Sequence, residues 1–457
     1  MLIRNAEVWG KGLTSLRIAD GKIAEVGQLS PRAGEQVIEA RGGALLPGLH
    51  DHHIHLAGLA ARYASVWCGP PEITRREELA GALTQPGTGW LRGIGYHESV
   101  LGGLPDAEAL DALCPHRPLR MQHRSGRMWL LNSRALEELL AKADPPPGLE
   151  REAGQFTGRL FDEDAWLRKA LGSTPPDFAE VSQELARCGV TGVTDMTPQN
   201  GPEMAAHFAQ QQTSGAMLQT VLLAGTQALD THGPVKLHLH EAALPDFDET
   251  VRAIAMAHES ARAIAVHCVS EVELVFALAA IEQAGARRGD RIEHASVASP
   301  ELVGRMAALG LWVCVQPHFI AERGDQYLAD VEARHIPDLY RLRSLADAGL
   351  PLSGGSDAPF ASADPWEAMR ASIRRKTASG AAIGPDEAIS PEAALSLYLA
   401  EPHDFTKQRP IEPGAPADLC LLSRPWSEAR ERLTADDVST TFVSGRHVHD
   451  RIDQAER

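Results

Sequence analysis

The chain has 457 residues, 44% hydrophobic and 23% charged, which suits one large domain with a smaller one and excludes a disordered chain. A formal net charge of -17 excludes the basic face that a nucleic-acid backbone or an anionic membrane surface requires. No apolar run is long enough to span a bilayer, and six scattered cysteines without a CxxC pair read as reduced thiols, so a cytoplasmic protein is expected.

The first stretch alternates apolar and polar residues and predicts strands over 2–9, 16–19, 22–26 and 36–40. Asp20-Gly21 between the second and third is a type I′ hairpin signal. The middle changes character. Short apolar runs at 264–267, 291–294, 312–315 and 350–353 alternate with amphipathic stretches at 271–284, 299–309 and 338–348, the pattern of a parallel sheet covered by helices on both faces. Repeated βα units over this length fit a (β/α)₈ barrel. The end turns β again, with a strand over 417–422 and a hairpin over 440–448. Two β-rich ends around an α/β middle predict one small sandwich made from both termini.

Nineteen histidines stand against five tyrosines. His53 and His55, in PGLHDHHIHL, lie two apart, which on a strand places both rings on one face. Alone, the pair reads more readily as a surface cluster at a turn. His267 closes IAVHCV, His294 closes RIEHAS, and Asp357 follows the strand in PLSGGSDAP. A single histidine at such a place is ordinarily a satisfied core or loop residue. Four histidines and an aspartate at strand ends form an N/O set for a divalent ion, with zinc the default.

These motifs resemble the amidohydrolase superfamily. PGLHDHHIHL is similar to its PGxxDxHxH start, GGSDAP to its GSD motif, and IEPGAPADLCLL to the strand after its barrel. WLRGIGYHES, LLNSRAL, CGVTGVTDM, GPVKLHLHE, VQPHF and SDAPFASADPW resemble its YtcJ-like branch, amidohydrolase family 3. The resemblance runs in order over nearly the whole chain. It implies a distorted (β/α)₈ barrel over 50–407 and a composite β-sandwich from 1–49 and 408–457. It implies that His53, His55 and Asp357 hold one metal and His267 and His294 a second. It also implies that Lys236 is carboxylated and bridges them. Otherwise Lys236 is a plain strand-end lysine paired with Glu241 or Asp246. The centre then holds one ion on His53, His55, His267 and Asp357, with His294 bonding water or substrate.

The implied reaction is hydrolysis of an amide-like C–N bond in a small molecule, with Asp357 as general base. The alternatives are a one-metal deaminase of a ring amidine and, remotely, a non-catalytic scaffold. The chain departs from the branch around the pocket. His238-Leu239-His240-Glu241 replaces an acidic-glycine stretch, so His240 either points into the site or packs. Arg127 replaces a substrate-contacting histidine; it binds a carboxylate or makes a surface ion pair. Tyr96-His97 stands for Trp-Asp, making Tyr96 a candidate contact. His318 either orients substrate or makes a structural hydrogen bond. The sequence leaves monomer and homo-oligomer equally open.

Overall fold

The computed structural model describes residues 1–70, 72–172, 175–230 and 233–451. They form two compact units, one of Met1–Leu56 with Asp177–Arg457 and one of Ala57–Pro176.

In the first unit the two ends of the chain meet in one eight-stranded sheet. Ala44–Pro47, from the N-terminal stretch, pairs antiparallel with Leu419–Leu422, from the C-terminal one. Ile3, Leu16, Leu419 and Phe442 share its buried core. The Asp20-Gly21 hairpin takes the expected turn, with φ of 51° and 75°, and pairs Ala19 with Lys22. Ser444-Gly445 repeats the device, with φ of 47° and 71°, between Val443 and Arg446. Both turns have left-handed backbone at their two central residues, which matches the twist of the flanking strands.

The α/β part of this unit carries eight parallel strands: β1 (Leu49–Ile54), β2 (Val190–Asp195), β3 (Thr220–Leu223), β4 (Val235–His238), β5 (Ile264–Cys268), β6 (Arg291–His294), β7 (Trp312–Val315) and β8 (Leu352–Gly354). Every residue of β1, β2, β6 and β7 is buried, as strands covered on both faces must be. They form two ladders, β3-β2-β1 and β4-β5-β6-β7-β8. Among the described residues no continuous strand pairing joins the two ladders into the expected barrel. Paired backbone bonds connect their ends instead, including a parallel bridge between Gly225 and Val235. Lys236 N–H donates to the Gly225 carbonyl at 2.9 Å, Asp357 N–H to His53 at 2.6 Å, and His55 N–H to Ala358 at 2.8 Å.

The helices begin where their caps dictate. Glu271–Ala284 opens on a capping box. Ser270 accepts from Glu273 N–H, and the Glu273 carboxylate accepts from Ser270 N–H at 3.2 Å. Its other oxygen accepts from Glu241 N–H at 2.9 Å, so the helix start also holds the loop after β4. The helix expected over 338–348 is shorter, Leu342–Asp347. Tyr340 takes a left-handed φ of 49°, which a continuous helix cannot contain.

The second unit has its own six-stranded sheet and its own core around Cys68, Leu79, Tyr96, Leu110 and Met121. Among the described residues no helix is long and apolar enough to cross a membrane.

Candidate metal centre

His53 lies in β1 and His55 one residue beyond it. The pairing of β1 with β2 slips between Val193↔Asp51 and Asp195↔Ile54, three residues against two, a bulge that re-aims side chains next to a site. Backbone bonds fix the new direction. Asp51 accepts from His53 N–H at 3.0 Å and from Ser356 N–H at 2.9 Å, tying the ends of β1 and β8 together. Burial pushes the Asp51 carboxyl up to about 6, against the pull of those bonds. Asp195, ending β2, accepts from Leu56 N–H at 2.7 Å and Thr197 N–H at 3.0 Å. Gly355 allows the approach of the two strand ends, since a Cβ there would lie 2.4 Å from His53 Cβ.

The rings then form a chain. His238 to His267 is 4.4 Å between centroids, His267 to His294 4.5 Å, His294 to His53 4.8 Å, and His53 to His55 5.3 Å. Asp357 Oδ1 sits 3.3 Å from His53 Nε2 and 3.0 Å from His55 Nε2. Ligand atoms of His53, His294 and Asp357 all fall within 4.8 Å of one another. The buried Lys236 Nζ has no hydrogen-bond partner, and no ion pair to Glu241 or Asp246 forms among the described residues.

Hydrogen bonds behind the rings assign their tautomers. His53 Nδ1–H donates to Glu293 Oε2 at 2.5 Å, and His294 Nδ1–H to Gln316 Oε1 at 2.8 Å. The Nε2 lone pairs of both rings therefore face the cluster, and neither has a hydrogen-bond partner. His53 Nε2 and the Asp357 carboxylate face each other 3.3 Å apart and call for a cation between them: against the pull of burial and Lys236, Glu293 and Asp357 raise the His53 pKa, so either a second ring proton or a metal ion meets the need. The residues present fit a divalent ion. Glu293 is itself neutralised by Arg291, whose Nε lies 2.6 Å from Oε1 as an ion pair rather than an aligned hydrogen bond.

Burial, joined by His294 and Lys236, drives the His267 pKa far down. Burial also pushes His294 down to about 3 and lowers Lys236 against the pull of Glu293. Neutral nitrogen is the form that binds metal. Asp357 is held well below the usual carboxylate range: burial opposes this, but His53 and His55 outweigh it.

The substrate-side candidates each have partners of their own. Tyr96 is buried in the core of the second unit, and its hydroxyl donates to the Gly103 carbonyl at 2.5 Å. Arg127, exposed in that same unit, makes a two-pronged pair with Asp162 at 2.8 and 2.6 Å. His240 does not join the ring chain; its Nδ1 accepts from Ala242 N–H at 3.3 Å and caps the turn Glu241–Ala243. His238, two residues from Lys236, is the histidine that reaches the cluster. His318 is buried and donates from Nε2 to the Ser356 carbonyl at 2.8 Å, so it braces the loop bearing Asp357. Sequence reasoning missed Asp51, Glu293 and Gln316. Their signal was adjacency, since each lies in a quoted motif beside a candidate residue.

The α/β fold places at its strand ends a buried His/Asp group able to hold a metal ion, as a metal-dependent hydrolase requires. Residues 36–449 match the model of the amidohydrolase family; the chain belongs to that family and is a hydrolase of C–N bonds. It is 25% identical to the N-substituted formamide deformylase of Arthrobacter pascens, over 97% of this chain and 96% of that one. It is 23% identical to the putative amidohydrolase YtcJ of Bacillus subtilis, over 92% of each. In fold it is similar to an uncharacterized metal-dependent hydrolase from Pyrococcus horikoshii, with a TM-score of 0.77 at 21% identity, covering 93% of this chain and 97% of that one.

Proposed function

We propose that the protein hydrolyses a non-peptide amide-like C–N bond, in a formamide, N-acyl amine, cyclic amide or imide. The catalytic centre is a divalent metal site made of His53, His55, Lys236, His267, His294 and Asp357. The observation that carries this is the convergence of ligand atoms of His53, His294 and Asp357 in one buried cluster, with the buried, unpartnered Lys236 amine near enough to act electrostatically on His53, His267 and His294. The ligand type favours zinc. Lys236, desolvated and without a partner, is suited to take up CO₂. Its nitrogen would bond to carbon with loss of a proton, and the carbamate oxygens would supply anionic ligands, enough for a second ion. Without that step the set serves one ion. The eight strands and their terminal links support a distorted (β/α)₈ arrangement, with the site at the strand ends.

A divalent ion in this cluster would acidify water and draw electron density from a carbonyl oxygen. The chain's own residues do the rest. Glu293 and Gln316 hold the rings of His53 and His294 with their lone pairs forward. Asp357, braced by His318 through Ser356, takes the proton of the attacking water and returns it to the leaving nitrogen. The amide C–N bond breaks, giving a carboxylic acid and an amine. The test is an assay of zinc-loaded protein against formamides, N-acyl amines and cyclic amides. Asp357→Asn is expected to lower turnover at least about 100-fold with metal still bound. Near-normal turnover in that variant would exclude the role.

A further inference from the structure

Just past Asp357 the chain turns and sets Phe360 beside the histidine cluster. Its backbone is pinned on both sides. Phe360 N–H donates to the Asp357 carbonyl at 2.9 Å, and Arg323 donates to the Phe360 carbonyl at 2.5 Å. Arg323 is itself laid over the Phe319 ring, 4.7 Å from its centroid. The Phe360 ring meets His55 edge-on, 5.8 Å between centroids at 86°. Yet Phe360 is 57% exposed, the most exposed aromatic among the described residues.

A ring so exposed makes little contribution to the core, and here the backbone gives it little freedom to fold away. It has no polar atom, so what it recognises is apolar surface. A substituent one or a few bonds from a carbonyl bound at His55 and Asp357 falls within reach of the ring.

We infer that Phe360 is a specificity residue: it is the face on which an apolar substituent of the amide rests, so the substrates are amides bearing alkyl or aryl groups rather than small polar amides. This rests on the proposed C–N hydrolysis at the adjacent cluster. The test uses zinc-loaded enzyme and formamides whose N-substituent runs from methyl through butyl to cyclohexyl. In the wild type, kcat/KM rises along the series. Phe360→Ala lowers the cyclohexyl-to-methyl ratio by about 10- to 100-fold, chiefly through KM, and Phe360→Leu restores most of it. A ratio unchanged by Phe360→Ala overturns the inference. If no formamide is hydrolysed, formamides leave the functional proposal, and calorimetric binding of N-cyclohexylformamide decides Phe360 separately. Weaker binding to Phe360→Ala supports the role; equal binding, or none to the wild type, overturns it.

Discussion

Glu293 is fully buried, touches His53 and is neutralised by Arg291. Such a carboxylate fixes the tautomer of a ligand and raises its basicity. Glu293→Gln is expected to weaken zinc binding about 10- to 100-fold, read by competition with a chelator; unchanged affinity in a folded variant would remove the role. Gly355→Ala acts by sterics. The added carbon would sit 2.4 Å from His53 Cβ and 2.6 Å from His53 N, so the strand ends must part. A stability loss of about 1–3 kcal/mol, with loss of bound metal, should appear in urea melts and metal analysis.

At the scale of elements, caps hold both helix and site. Ser270→Ala removes half of the capping box of Glu271–Ala284 and should cost about 0.5–2 kcal/mol by chemical denaturation. Asp364 caps Pro365–Arg374, accepting from Trp366 N–H at 2.8 Å. Burial pushes its carboxyl up from 3.8 to about 6. The folded state then binds this proton more tightly than the unfolded one, so its contribution to stability falls as pH rises from about 4 to about 6. Asp364→Asn keeps the cap and should flatten that part of the stability curve; an identical slope in urea midpoints would contradict the assignment.

Across the whole molecule, all six cysteines are free and buried. Burial pushes the thiols of Cys68 and Cys420 up to about 12, far from the reactive thiolate. A thiol reagent should label none in the native protein and all six after denaturation. Fast native labelling would show that the buried surroundings open readily. The compact unit Ala57–Pro176 is also a whole-molecule feature. Its strands are short and mixed, and nothing in their local pattern separates them from the parallel strands around them.

Sequence and structure divide the site between them. Local patterning gave the hairpins at Asp20-Gly21 and Ser444-Gly445, the helix Glu271–Ala284, and the polar residues waiting at strand ends. These depend on turn chemistry, caps and a period of two, which act within a few residues. A period of two from Lys236 reaches both His238 and His240; the strand ends at His238, and His240 falls in the cap of the next turn. What the chain could not state by itself is which distant groups meet. Glu293 looks like any charged residue in a strand until His53 and Arg291 close on it. Tyr96 looks like a contact residue until its hydroxyl finds Gly103. The ladder ends join through two backbone bonds each, Gly225 with Pro234 and Lys236, and His53 and His55 with Asp357 and Ala358. His53 and Asp357 are 304 positions apart, and only tertiary packing brings their acceptors to 3.3 Å and so creates the need for a cation between them.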